Sequence, residues 1–276
     1  MEPDALHATL VRMLRSTRRA DGGHGTSDAG DSEIEATTVA TLVLRDSPGR
    51  SWLSARQKPD GSLVERDGRV AGPAVTALAS LVLPGTAARR ALSFAIGVRG
   101  FPPPDAADPN RRTAWGWTPD VRSTVEPTAR ILLAVNRLTP TDGATRTEAL
   151  NLLRERRCAD GGWNYGNASV NDVDLRGYAQ TTAIALVALQ RVASDLVGSG
   201  VRFLRDTWRR EPGSLTTAQT ALAFRLHGLE RDASDASRVL AREVERPTLA
   251  ARPLDIAWAA LATGPDALLQ PLRSRA

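Results

Sequence analysis

A short apolar stretch rich in Ala and Thr recurs along the chain, and this repetition constrains the fold more than any other feature. Its copies occupy residues 35–44, 73–83, 126–135, 180–189, 216–226 and 254–263. Six copies in 276 residues correspond to one unit every 46 residues. Because a repeated sequence unit normally forms one supersecondary unit that packs against its neighbours, the repeat sets the architecture.

The spacing of apolar residues within these stretches fits helices that are buried on most sides, and the alternation typical of strands is absent. The intervening stretches, such as 147–157 and 232–246, are amphipathic, with Arg and Glu on the outer face. The sequence therefore predicts six hairpins of an outer charged helix and an inner apolar helix, in one domain over residues 1–276. We expect an all-α protein, a single (α/α)6 toroid, whose inner helices begin near residues 36, 74, 127, 180, 217 and 254.

A turn also recurs, as ADGGHG at 20–25, PDGS at 59–62 and ADGGWNYG at 159–166. Asp-Gly is a turn signal, and glycine adopts a positive φ at no steric cost. The third copy carries Trp163 and Tyr165, although the chain has only 6 Trp and 2 Tyr. This concentration raises the question of why a turn needs two scarce aromatic residues.

The overall composition excludes several classes of protein. Cys158 is the only cysteine, which favours a reducing compartment over a disulfide framework. The N-terminus has neither the basic nor the apolar segment of a signal peptide, and no apolar run has the length of a membrane span. The basic residues are nearly all Arg and are spread evenly, without the basic stripe and aromatic groups of a nucleic-acid site. We expect a cytoplasmic protein without a nucleic-acid partner or stable membrane insertion, and a protein partner or homo-oligomer stays open.

The pattern apolar-x3-Gln-x3-Gly-x-Trp resembles the QW repeat of squalene and oxidosqualene cyclases, which is related to repeats in protein prenyltransferase β subunits. Residues 53–63 keep the Gln, residues 153–163 keep the Trp, and residues 14–24 keep only the frame. The resemblance covers most of the chain, is best over 113–190 and fades after about residue 230. It implies the (α/α)6 toroid. It also implies that Trp163 and Trp117 are structural staples, whereas Tyr165 lies beyond the motif and is free to face a cavity.

The triterpene cyclases of that superfamily protonate an alkene with an Asp-x-Asp-Asp motif at the start of an inner helix, and this chain lacks the motif. The nearest string contains Asp172 and Asp174, which are either a displaced acid pair or two solvated loop residues. Superposition of the Thr-Ala signatures places Glu126 at the position of the family's middle Asp. The dipole at a helix start favours an anion there, so Glu126 needs burial or a second carboxyl to hold a proton at neutral pH. In the sixth repeat unit, Asp255 lies at about the same position along its inner helix as Glu126 does in its own unit.

The beginnings of the inner helices are expected to meet at one rim of the ring. Summed helix dipoles there suit an anionic head group such as a diphosphate or carboxylate, which Arg side chains would bind, while the apolar lining would hold a hydrocarbon tail. The candidate catalytic residues are Glu126, Asp172 and Asp174. The candidate substrate-binding residues are Trp115, Trp117, Arg122, Tyr165, Arg176, Tyr178, Asp255 and Trp258. We expect no metal and no cofactor, because the chain has only three scattered His and no glycine-rich phosphate loop.

Two functions remain open at this stage. One is a small terpenoid-cyclase-like enzyme that cyclises or isomerises an isoprenoid or other apolar chain by protonation. The alternative is a non-catalytic toroid that binds a lipophilic ligand or a partner protein. The missing acid motif and the aromatic content of 4% favour the alternative, and the aromatic and carboxyl residues of 113–126 and 160–178 favour the enzyme. A closed apolar pocket with Glu126 at its wall would support catalysis, and a filled ring would not.

Overall fold

The computed structural model describes residues 3–102, 113–192, 195–211, 213–245, 249 and 252–274. Apolar and amphipathic helices alternate along these residues. The inner helices are α2 (Ile34–Leu44), α4 (Pro73–Ser80), α6 (Val125–Leu138), α8 (Ala179–Ala188), α10 (Ser214–Leu226) and α12 (Pro253–Thr263). The outer helices are α1 (Pro3–Ser16), α3 (Ser47–Ser54), α5 (Gly85–Gly97), α7 (Gly143–Glu155), α9 (Asp195–Thr207) and α11 (Glu230–Glu243). A 3-10 turn, Trp208–Arg210, follows α9, and a short helix, α13 (Asp266–Leu269), follows α12.

The contacts between helices close a ring. Each inner helix packs against the next inner helix along the chain, and α12 packs against α2; we call these helices the inner ring. The outer helices α5, α7, α9 and α11 each pack on the inner helix that precedes or follows them, and α1 packs on α12. The predicted all-α class is confirmed, and each inner helix begins within three residues of its expected start.

The difference between inner and outer helices follows from their side chains. In α8 every residue except Gln180 is buried, because small Ala and Thr residues let neighbouring helices approach on several sides. In α11, by contrast, the buried residues are Ala233, Ala236 and Leu240. Their spacing of three and four residues gives one apolar stripe that faces the ring, with charged residues on the other side.

A Thr near the start of several inner helices fixes the preceding loop. The Oγ1 atoms of Thr37 and Thr182 accept hydrogen bonds at 2.9 Å from the backbone N–H groups of His24 and Trp163, respectively. Thr128 Oγ1 donates at 3.4 Å to a carbonyl of the loop before α6. The loops are therefore held against the end of the ring at which the inner helices begin, which we call the mouth.

The three Asp-Gly turns share one geometry. Gly22, Gly61 and Gly161 have φ angles of 90°, 95° and 91°. In each turn the Asp side chain accepts a hydrogen bond from the N–H two residues later, at about 3.0 Å. A Cβ atom on Gly161 would lie 3.1 Å from the Ser199 Cβ atom of α9. The turn therefore packs directly on the next outer helix, which requires glycine both for the φ angle and for the close approach.

Trp163, one of the two aromatic residues that follow the third turn, has a structural role. Its side chain is fully buried, and its Nε1 donates a hydrogen bond to the Leu153 carbonyl of α7 at 2.7 Å. The same ring packs against α9, because a Cβ atom on Gly200 would lie only 2.7 Å from it. Trp163 thus joins two neighbouring outer helices, and its prediction as a structural staple is confirmed.

The segment before α8 differs from the predicted loop. It contains a small antiparallel hairpin of β1 (Ser169–Val170) and β2 (Val173–Asp174). Asn171 and Asp172 form its turn with φ angles of 50° and 59°, which Asn and Asp tolerate better than other non-glycine residues. Within the described part of the chain, no helix combines the length and the apolar character needed to cross a membrane.

Candidate functional site

The two tryptophans of the loop before α6 have roles that the sequence did not separate. Trp115 is fully buried, and its Nε1 donates to the Ile96 carbonyl of α5 at 3.1 Å, as Trp163 does to α7. Trp117 is 41% exposed. The expectation that Trp117 is a structural staple is therefore wrong, and Trp115 has that role. Ala114 has a φ of 46°, and this unusual backbone turn determines which ring enters the core.

A buried charged cluster lies at the mouth. Glu126 and Arg130 are four residues apart in α6, so their side chains share one face of the helix. Arg130 Nη2 donates to Glu126 Oε1 at 2.7 Å and to Glu35 Oε1 of α2 at 2.6 Å. Because α4 separates α2 from α6 in the inner ring, the Arg130 side chain reaches across the mouth. The cluster places two carboxylates on a single guanidinium nitrogen.

The surroundings of Glu126 disfavour its charged form. Burial raises the pKa of Glu126 above its usual value, and the negative charge of Glu35 adds to this effect. The positive charge and hydrogen bond of Arg130 oppose it. To hold a proton, Glu126 was expected to need either burial or a second carboxyl nearby, and the structure supplies both.

Asp255 is a second buried carboxyl, on the third residue of α12. Burial raises the pKa of Asp255, and the positive charge of Arg252 opposes the shift. Arg252 Nε lies 3.2 Å from Asp255 Oδ2 without hydrogen-bond geometry. Trp258 follows Asp255 by three residues, so both lie on the same face of α12.

A small cavity lies within the inner ring. Its volume is about 20 Å³, which is room for about one water molecule. Its apolar walls are Leu78, Ala129, Leu133, Ile184 and Val187, and its polar walls are Arg130, Gln219 and Trp258. Trp258 thus lies at the centre of the ring, whereas Glu126 is not part of the cavity wall. This cavity alone is too small for a substrate-sized molecule.

A larger groove of about 410 Å³ opens beside the mouth, between the loops that precede α6 and α8. It brings together four predicted binding residues, Arg122, Tyr165, Arg176 and Tyr178. The two tyrosine rings have centroids 5.3 Å apart, and the Arg176 guanidinium lies 4.8 Å from the Tyr178 ring. Burial raises the pKa of Tyr165, and the charge of Glu126 raises it further. The groove lies at the start of α6, because Thr124 lines it and Glu126 follows two residues later.

The remaining predicted acids lie elsewhere. Asp172 and Asp174 are on the hairpin and are exposed to solvent. Among the described residues, no hydrogen bond or ion pair joins either of them to Glu126, Arg130 or Glu35. The structure therefore brings Glu126 together with Glu35 and leaves the hairpin carboxylates apart from that cluster.

Exposed apolar side chains concentrate on the mouth side. Within the described ranges, the large hydrophobic residues that remain exposed all lie in the loops before α4, α6 and α8. They are Val70, Trp117, Val121, Tyr165, Val170, Val173 and Leu175. Contiguous exposed apolar patches are typical of contact sites for a ligand or a protein, and these residues are the candidates for such a patch here.

Sequence reasoning missed Glu35, Arg130 and Gln219. Glu35 precedes Thr37 by two residues, as Glu126 precedes Thr128, so comparison of the repeats would have found it. Arg130 and Gln219 interrupt two of the apolar stretches, at positions where a helix buried on most sides has no place for an unpaired polar group. Among the residues with described positions, no group of three or more His, Cys, Asp or Glu side chains is arranged to hold a metal ion.

The fold is similar to that of solved proteins. The structure of the type II terpene cyclase MstE from Scytonema, in its apo form, matches with a TM-score of 0.61 and 14% identity, over 89% of this chain and 79% of that chain. A protein from Actinoplanes matches with a TM-score of 0.58 and 17% identity, over 89% of this chain and 82% of that chain. No family model and no curated protein matches the sequence. The chain therefore has a terpene cyclase-like fold.

Proposed function

We propose that this protein is a terpenoid-cyclase-like enzyme that cyclises or isomerises an isoprenoid or other apolar chain, with Glu126 as the proton donor. The observation that carries the proposal is the pairing of the buried Glu126 and the partly buried Glu35 on one nitrogen of Arg130. The reaction needs no metal ion or other cofactor, because the proton comes from a side chain. The proposed reaction is that of an isomerase, and it is compatible with a cytoplasmic location.

The cluster can both hold and release a proton. Burial raises the pKa of Glu126 and the negative charge of Glu35 adds to this effect, so both favour the protonated form, while Arg130 opposes the shift. After the proton has left, Arg130 stabilises the carboxylate through a hydrogen bond that is already in place. Arg130 therefore favours proton transfer without having to move.

The groups around the acid suit the chemistry that follows. Protonation of one carbon of a double bond leaves a carbocation on the other carbon. Attack by a second double bond closes a ring and moves the positive charge to a new carbon, and loss of a proton from a neighbouring carbon to solvent then gives the neutral cyclic product; proton loss without ring closure gives an isomer. The Trp117 ring lies 5.3 Å from the Arg130 guanidinium, and Tyr165 and Tyr178 line the groove at the start of α6, so aromatic rings are available close to the acid's helix. The groove of about 410 Å³ has the size of a small-molecule site.

Incubation of the purified protein with farnesol, geranylgeraniol, their diphosphates and squalene tests the proposal. Products are identified by gas chromatography and mass spectrometry. We expect a cyclised or double-bond-shifted isomer from at least one substrate, its loss in Glu126→Gln, and full turnover in the exposed control Glu230→Gln. The double variant Asp172→Asn/Asp174→Asn is expected to keep its activity, because both side chains are solvated. Wild type that converts none of these substrates contradicts the proposal.

A second candidate function is binding of a lipophilic ligand or a partner protein without catalysis. It is favoured by the small size of the cavity within the inner ring, about 20 Å³, and by the exposed apolar side chains of the mouth side. Saturable ligand binding without any product in the same incubations would establish this alternative.

A further inference from the structure

Three polar side chains that line the cavity of the inner ring each keep one atom without a hydrogen-bond partner among the described residues. These atoms are Arg130 Nη1, Gln219 Oε1 and Trp258 Nε1. The three side chains come from α6, α10 and α12, and their residues are only 6%, 2% and 6% exposed. An unpaired polar atom in the core costs free energy, so three of them around one cavity indicate a site for a polar group.

The donors and acceptors of this site define what it binds. Arg130 Nη1 and Trp258 Nε1 are hydrogen-bond donors, and Gln219 Oε1 is an acceptor. A hydroxyl group complements all three, because its oxygen accepts two hydrogen bonds and its proton is donated in a third. An ether or a bare alkene has no O–H group that could donate a hydrogen bond to Gln219 Oε1.

Charge and size exclude a diphosphate from the cavity. The positive charge of Arg130 is already paired with both Glu35 and Glu126. A further anion would be buried beside two carboxylates with one guanidinium among them, which is unfavourable. The volume of about 20 Å³ admits about one oxygen atom with its proton. The apolar walls suit the carbon atoms attached to it.

We propose that this cavity binds the hydroxyl group of an apolar alcohol, with Arg130 and Trp258 as donors to its oxygen and Gln219 as acceptor of its proton. The inference deepens the proposed function and rests on it only for the isoprenoid nature of the chain. In this proposal the hydroxyl end lies within the inner ring and the hydrocarbon follows the face of α6 that carries Arg130 and Glu126, which requires the side chains around the cavity to move apart, because the cavity itself has room only for the hydroxyl. This orientation reverses the arrangement expected from the sequence, in which an anionic head group stays at the mouth.

Calorimetric titration with farnesol, farnesene and farnesyl diphosphate tests the proposal, because these ligands share a hydrocarbon skeleton and differ in the polar group. We expect farnesol to bind about tenfold more tightly than farnesene, as hydrogen bonds in a buried site allow, and more tightly than farnesyl diphosphate. Trp258→Phe should weaken farnesol binding about three- to tenfold and leave farnesene binding unchanged. Trp208→Phe, a matched change at a buried tryptophan outside the cavity, should alter neither. Gln219→Met provides a second variant with the same expected loss if Trp258→Phe does not fold.

The outcomes separate this site from the proposed reaction. Equal affinity for farnesol and farnesene, tighter binding of the diphosphate, or no binding of any of the three overturns the hydroxyl site. Selective farnesol binding without product in any incubation leaves the hydroxyl site standing and overturns the reaction. Product formation without selective binding of farnesol overturns the hydroxyl site and leaves the proposed reaction standing.

Discussion

Arg130 of α6 and Glu35 of α2 are joined by a hydrogen bond of 2.6 Å across the mouth of the inner ring. The same nitrogen binds Glu126 at 2.7 Å. One buried cation therefore serves two carboxylates, the buried Glu126 and the partly buried Glu35, and the cluster links the stability of the ring to the protonation of the proposed acid. Stability measurements on this cluster and on the repeat test the structure independently of any substrate.

Replacement of Arg130 by Met should destabilise the fold by about 3–5 kcal/mol at pH 7, because the buried Glu126 and the partly buried Glu35 lose the guanidinium that they share. The loss should be smaller at pH 4.5 than at pH 7, because the raised pKa of Glu126 means that this buried carboxyl is protonated to a larger extent there and needs the counter-ion less. Denaturant unfolding at both pH values measures the effect. Arg205→Met, which removes an exposed ion pair with Asp232, is the control and should cost less than about 1 kcal/mol. Equal losses for the two variants would contradict the buried cluster.

His24 should make the fold sensitive to acid. Burial lowers the pKa of His24 from 6.5 to about 4, and the charges of Arg18 and Arg19 lower it as well. Between these two values the unfolded chain binds more protons than the folded chain. Stability is therefore complete above pH 6.5 and falls as the pH drops towards 4, by up to about 3 kcal/mol.

Unfolding free energies of wild type and His24→Phe at pH 7 and pH 4.5 measure this contribution. The raised pKa of Glu126 acts in the opposite direction, because stability falls as the pH rises above its usual value of 4.5. Because Glu126 is present in both proteins, the difference between their losses of unfolding free energy on acidification reports the contribution of His24. We expect a smaller loss on acidification in His24→Phe, and parallel losses would show that His24 is not buried in its neutral form.

Gly161→Ala should destabilise the third repeat turn. Its φ of 91° is unfavourable for alanine, and the new Cβ would lie 3.1 Å from Ser199. We expect a cost of more than about 1 kcal/mol in chemical denaturation. Gly166→Ala lies in the same loop with nothing within 4 Å of its Cβ position, so it should be close to neutral. A neutral Gly161→Ala would contradict the turn geometry.

Trp115→Phe and Trp117→Phe distinguish the buried staple from the exposed ring. The first removes the hydrogen bond to the Ile96 carbonyl and should cost about 1–3 kcal/mol. The second changes a side chain that is 41% exposed and should stay within about 0.5 kcal/mol of wild type. Thermal unfolding of both variants under one set of conditions is the measurement, and the reverse order would overturn the assignment.

The helices and turns were predictable because their signals are local. Apolar spacing and the Asp-Gly pairs depend on neighbouring residues alone, and each inner helix begins within three residues of its expected start. The site was only partly predictable. Glu126 was found by its place in the repeat, but Glu35 pairs with Arg130 across 95 residues of sequence. The choice between Trp115 and Trp117 depends on the backbone turn at Ala114, for which a sequence gives no signal.

Solvent deuterium incorporation tests the central claim most directly. If Glu126 starts the reaction by protonating the substrate, wild type incubated in deuterium oxide should give a product with one deuterium on the carbon that received the proton. Glu126→Gln should give no labelled product, although it still binds the substrate. Mass spectrometry of the product measures both results. A product that carries no deuterium, or equal labelling by wild type and Glu126→Gln, would contradict the role of Glu126 as the proton donor.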